Sequence, residues 1–132
     1  MKLYLTHCSA KKDDSLRDTV KAVGPDALYT ATPTQRFMER CRSQGVRWAI
    51  LSDLHGVWFP DVSHAWYEKD PNSVSVAEFV ALVEDFNAKL APFDEVIFYN
   101  NPGRFHPLYK RLVAESGLRD RVRFITHLAE IV

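Results

Sequence analysis

Four short apolar runs, residues 2–6, 46–52, 95–99 and 122–126, alternate along this chain with segments of helical period, and each run stops at polar residues. This alternation constrains the fold most strongly, because strand, helix and following strand close as a right-handed crossover and build a mainly parallel sheet under helices. The expectation is a single α/β domain over residues 1–132, arranged as three α/β/α layers around a sheet of about four strands. A chain of 132 residues that is 46% hydrophobic and 26% charged can bury one core without disulfides or metals.

The helical segments carry signals of different quality. Ser75 and Glu78 make a capping box ahead of Phe79, Leu82, Val83, Phe86 and Leu90, and Pro92 ends that pattern. A second helix is predicted with Thr32 as its cap, Pro33 at its first position, Phe37, Met38 and Cys41 facing inward, and Gly45 at its exit. Another is predicted from Pro107 to Ser116, closed by Gly117. Asp14 is expected to cap a short helix that places Leu16, Val20 and Val23 on one face before Gly24-Pro25. After Ser52-Asp53, the chain to residue 74 reads as a long irregular stretch of the kind that lines a site or covers it.

Hydropathy and charge narrow the function classes. No apolar run approaches the roughly 20 residues of a membrane helix, and Met1-Lys2-Leu3-Tyr4-Leu5-Thr6-His7 lacks the apolar core of a signal peptide. A cytoplasmic setting without a membrane partner is therefore expected, and Cys8 and Cys41 read as free thiols. Net charge is zero, but residues 1–44 hold eight Lys/Arg against five Asp/Glu, residues 45–102 three against nine, and residues 103–132 six against three. This falls short of the basic footprint of a dedicated duplex-binding protein, so net charge lends a nucleic-acid partner no support.

Ligands of parallel α/β sheets gather outside the carboxyl ends of the strands. Those ends supply His7, Cys8 and Ser9, then Ser52, Asp53 and His55, then Asn100 and Asn101, then His127. In the turn Cys8-Ser9-Ala10-Lys11-Lys12, the Ser9 hydroxyl, the Lys11 ammonium and backbone N–H groups either hold a phosphate or carboxylate or form a solvated loop. The turn has no glycine and does not match a P-loop. Cys8 is either a nucleophile or a buried structural thiol. Neighbouring strand residues point to opposite faces, so His55 or His127 would serve it as a base better than His7.

The spacings among His7, Cys8, Asp53, His55 and His127 match no recognised metal pattern, and no metal or cofactor is assigned. Gly56 is expected to supply positive φ, with Trp58 and Phe59 forming either a wall for a flat ligand or ordinary core closure. Tyr29, Trp66 and Tyr67 pose the same alternative. The Asn100 carboxamide either reads a base edge or sugar hydroxyl, or serves the turn before Pro102-Gly103.

In order along the chain stand Cys8-Ser9-Ala10-Lys11-Lys12, Leu28-Tyr29-Thr30, Phe37, Trp48-Ala49-Ile50-Leu51-Ser52, His55-Gly56, Pro60 and Tyr67. This series resembles an uncharacterised family of small microbial and phage α/β domains whose pattern runs CSxxK, LY, F, LSxxxGL, P and Y. The likeness spans residues 5–67, about half the chain. It implies a compact α/β domain with a site built from Cys8, Ser9, Lys11, Tyr29, Ser52, Gly56 and Tyr67. A looser likeness to domains associated with tRNA-guanine transglycosylases and archaeosine synthesis implies nucleobase or nucleotide handling. Asp53-Leu54-His55 replaces the more usual Ala-Lys-Tyr or Ala-Lys-His, and Val57 replaces Leu, so the lysine that implies a second cationic contact is missing and His55 is left as the donor that could stand in for it.

The residues together predict a domain that binds or acts on a nucleotide, nucleobase or modified nucleic acid. Lys11 and Ser9 would hold an anion, Tyr29 and Trp58 would pack the ligand, and Asp53 or His55 would do acid/base work. The rivals are a nucleotide-binding module without catalysis and a thiol-dependent transferase or hydrolase built on Cys8.

Overall fold

The computed structural model describes residues 1–100 and 105–132, and the Asn101 expectation lies outside them. Five strands, β1 (Lys2–His7), β2 (Trp48–Ser52), β3 (Gly56–Trp58), β4 (Glu95–Tyr99) and β5 (Val122–Ile125), form one sheet in the order β3-β2-β1-β4-β5. All neighbours run parallel except β2 and β3. The expected sheet of about four strands thus gains a fifth. β3 was hidden in the sequence because three residues are too few to show an alternating pattern.

β2 and β3 are joined by the three-residue turn Asp53-Leu54-His55, and the pair closes at Ser52↔Gly56. A three-residue hairpin of this kind needs a left-handed residue at its exit, and Gly56 has φ of +70°. Space demands glycine there as well. A Cβ would lie 2.1 Å from Asp85 Oδ2, the oxygen that accepts the Val57 N–H at 2.8 Å.

Four helices follow: α1 (Pro25–Leu28), α2 (Thr32–Gln44), α3 (Val76–Leu90) and α4 (Pro107–Glu115). The α3 capping box forms as the sequence predicts, with Ser75 Oγ accepting from Glu78 N and Glu78 Oε1 from Ser75 N. α2 starts one residue earlier than expected. Ala31, not Thr32, takes the cap position and provides no side-chain bond, while Gly45 ends the helix in left-handed geometry.

The helix expected after Asp14 does not form. Only Asp14–Leu16 make one tight turn, capped by Asp13, and Asp18 then takes φ of 61°, which no helix tolerates. Val20 is accordingly exposed and only Leu16 of that face is buried.

Register explains how the core is shared. Thr6 pairs with Ile50 and Tyr99 and so shares a face with Tyr4 and Trp48, where Phe37 of α2 stacks on Tyr99 and meets Trp48 edge-on. On the opposite face His7 stacks on Tyr109 of α4 at 5.3 Å, and Phe98 meets Phe105. α3 lies against β3, where Lys89 donates to the Val57 carbonyl. Among the described residues no helix is long and apolar enough to cross a membrane.

Candidate functional site

The strand order sets where a site can form. From β1 the chain proceeds to β2 on one side, whereas β4 and β5 lie on the other, so the connections diverge at the β1/β4 boundary. Such a divergence leaves a crevice at the carboxyl ends of the strands. A cavity of about 460 Å³ occupies this place, within the range typical of small-ligand sites. Thr6, His7 and Cys8 at the end of β1, Asp53 after β2 and Tyr99 at the end of β4 line it. The turn 9–12 and the opening residues of α2 form one wall, and Lys69, Pro71, His106 and Tyr109 close the other sides.

Asp53 is 3% exposed, and the hairpin turn holds it against Cys8. The Cys8 thiol donates toward Asp53 Oδ1 at 3.7 Å and lies 3.0 Å from the Tyr109 hydroxyl. Burial, and after it the charge of Asp53, push the thiol up to about 11, so it is protonated at neutral pH. Burial also raises the Asp53 carboxyl, opposed by the Cys8 bond and by the charges of Lys12 and Lys69. The result is a carboxyl whose proton affinity is increased beside a thiol whose reactivity is suppressed.

The remaining polar lining is held locally. His7 Nδ1 lies 2.9 Å from the Cys8 carbonyl and donates to it, since a carbonyl can only accept. Nε2 of this buried ring has no partner among the described residues, and burial lowers its pKa. His106 Nδ1 accepts from Leu108 N, so Nε2 carries the proton and donates to Asn72 Oδ1 at 2.8 Å. Lys69 pairs with Glu78 at 2.7 Å, which ties the segment before α3 to its capping box.

Of the residues singled out in the sequence, His7, Cys8, Ser9, Lys11 and Asp53 line this cavity. Tyr29, Ser52, Tyr67, His55 and Trp58 do not line it and form a neighbouring cluster, which meets the cavity wall where Lys12 lies over the Tyr67 ring. There Ser52 Oγ accepts the Leu54 and His55 N–H groups, which leaves its own hydrogen to donate to the Tyr67 hydroxyl at 3.0 Å. Tyr67 in turn bonds Tyr29, and burial raises both phenols, so they stay neutral. His55 stacks on His64 at 3.7 Å with Trp58 edge-on to both rings. Burial, then the neighbouring His64 and Lys89, lower His55 to about 4.

Trp58 is 1% exposed and donates to the Val62 carbonyl at 2.7 Å, so it closes the core and presents no wall to the cavity. Gly56 serves the hairpin. Asn100 donates its N–H to Ile125 and stands outside the cavity, as does the exposed His127.

Reasoning from sequence missed Lys12, Thr34, Tyr99, His106 and Tyr109. A signal for Lys12 existed, since it is the other half of the Lys11-Lys12 pair. Lys11 is exposed at the cavity mouth, whereas Lys12 is 9% exposed and lies 4.6 Å over the Tyr67 ring. The aromatic residues read as helix and strand packing and had no separate signal. Among the described residues, no group of three His, Cys, Asp or Glu side chains is placed to hold a metal ion. Compared with family models, curated proteins and solved structures, the chain matches none.

Proposed function

We propose that the strand-end cavity binds a nucleotide-like small molecule and that the chain acts on it, with Asp53 moving the proton. The observation that carries this reading is the Asp53 carboxyl, buried in a ligand-sized cavity and raised by that burial. A carboxyl so placed is suited to accept and return a proton. Its Oδ1 faces the Cys8 thiol, and Oδ2 is left for the ligand. Cys8 acts here as a donor that orients the carboxyl. Its thiol is raised and no imidazole bonds to it, which favours Asp53 over a thiol nucleophile.

Cationic Lys11, Lys12 and Lys69 around the cavity favour an anionic partner, and its volume favours a mononucleotide-sized ligand over a polymer. The opposed contacts of α2 and α4 support a three-layer arrangement, and two buried free thiols support a reducing, cytoplasmic setting.

The test is a panel of nucleobases, nucleosides and nucleotides screened by thermal shift, with product analysis by mass spectrometry on any that bind. Asp53→Asn is expected to keep binding within about threefold and to reduce turnover by about a hundredfold or more. Binding without any turnover in the wild type would leave a nucleotide-binding module. No shift from any panel member would overturn the reading.

A further inference from the structure

Lys12 is a buried cation with no carboxylate in direct contact, although Asp53 is near enough to feel its charge. Its side chain lines the cavity, yet no carboxylate lies within 4 Å among the described residues. Its hydrogen bond, to the Ala10 carbonyl, is 3.5 Å long, and the faces of Tyr67 and Tyr29 lie 4.6 and 5.9 Å from the ammonium. Burying an ammonium with its donors so poorly used is costly unless something else pairs with them. The tyrosine faces offset part of that cost and leave the N–H bonds free for a partner.

The same wall holds the start of α2, a 13-residue helix with no side-chain cap. Thr32 and Thr34 direct first-turn N–H groups toward the helix entrance, and Pro33 has none to offer. Backbone bonds hold the main chain around Lys12 against the segment that leads into this helix. Asp13 N donates to Leu28 O at 2.8 Å and Thr30 N to Lys11 O at 3.2 Å, immediately before the helix begins. The Thr34 hydroxyl donates to Ser9 Oγ at 3.3 Å, which joins the turn to the first helical turn.

We propose that Lys12, Ser9 and the open amino end of α2 form a subsite for a phosphate or phosphate monoester. Backbone N–H groups at a helix start, a hydroxyl and a fixed ammonium are the donors that a tetrahedral oxyanion requires. Lys12, not the exposed Lys11, is the principal cation. For what the phosphate is attached to, the proposal rests on the nucleotide-like reading, and the subsite itself stands without it.

The experiment titrates the whole chain with inorganic phosphate, with the four common 5′-ribonucleotides and with the matching nucleosides. Affinity is read by calorimetry and amide shifts by NMR. Lys12→Met keeps the apolar stem and removes the charge, and Lys21→Ala removes an equal charge from an exposed loop. Phosphate is expected to bind the wild type and to shift the Thr32 and Thr34 amides, with affinity lost about tenfold or more in Lys12→Met and unchanged in Lys21→Ala. If Lys12→Met fails to fold, the amide shifts in the wild type decide.

Phosphate that leaves those amides unmoved, or that binds Lys12→Met as well as the wild type, overturns the subsite. Lys12-dependent phosphate binding with no gain from any nucleotide keeps the subsite and defeats the nucleotide-like reading. Nucleotide binding indifferent to Lys12 does the reverse.

Discussion

Ser52 and Asp53 are neighbours at the end of one strand, but they serve two unlike regions. Ser52 anchors a packed cluster with Tyr67, Tyr29, His55, His64 and Trp58, in which the hydroxyls bond one another and the rings interlock, while His55 Nε2 has no partner among the described residues. Asp53 faces a cavity whose charged groups, Lys12 above all, lack full partners. The cluster is filled by its own stacked and edge-on rings, whereas the cavity leaves space among its lining residues. Polar residues at a strand end can thus have opposite purposes, and whether the surrounding side chains fill the space or leave it open separates them.

Substitutions should divide along the same line. The largest effect is expected from Trp58→Ala, which removes the ring that contacts both histidines and should cost about 3–5 kcal/mol in urea unfolding. Ligand affinity of the fraction that remains folded should be unchanged. A loss of affinity with stability intact would mean that the two regions are not separate.

Acid comes next. Folded His55 titrates at about 4, against 6.5 ordinarily, so the unfolded chain takes up the proton first. The stability held by neutral His55 is full above about pH 6.5 and is lost as pH falls toward about 4. The urea midpoint should drop across that window, and His55→Phe, which keeps a ring in the stack, should flatten the drop. An equal drop in the variant would exclude His55 as its source.

Tyr67→Phe should cost about 1–2 kcal/mol, because the Ser52 and Tyr29 hydroxyls lose their common partner in a buried place. Asp53→Asn should have the smallest effect on stability. The carboxyl is raised in the fold, so its ionised form opposes folding as pH rises, and the amide should leave stability at pH 7 equal or slightly higher. A clear destabilisation there would place Asp53 with the structural cluster.

These contrasts also explain what the sequence could and could not disclose. β1, β2, β4 and β5 were legible as short apolar runs, the first three because buried parallel strands are apolar on both faces, and α3 because its capping box and apolar spacing agree. β5 is the weakest of these, an edge strand with Arg123 and Phe124 exposed. β3 was invisible from its length, and the failed helix at residues 14–23 shows that three spaced apolar residues do not make a buried face. For the site, the carboxyl-end rule selected the right strands and found Cys8, Ser9, Lys11 and Asp53. It could not sort His55 and Ser52 from Asp53, since a short hairpin turns successive side chains in different directions. Nor could it choose Lys12 over Lys11, because that choice depends on the bridge between Lys12 and Tyr29, residues far apart in the chain.

The central place of β1 also affects how the chain reaches this fold. Tyr4 pairs with Trp48 and Lys2 with Glu95, so β1 has no neighbour until the distant segments that carry β2 and β4 exist. Among the described strands the β2–β3 hairpin alone is local. Contacts of such long sequence separation make for slow assembly. A nascent β1 must therefore wait with both edges open, exposed to aggregation for longer than any other strand of the sheet.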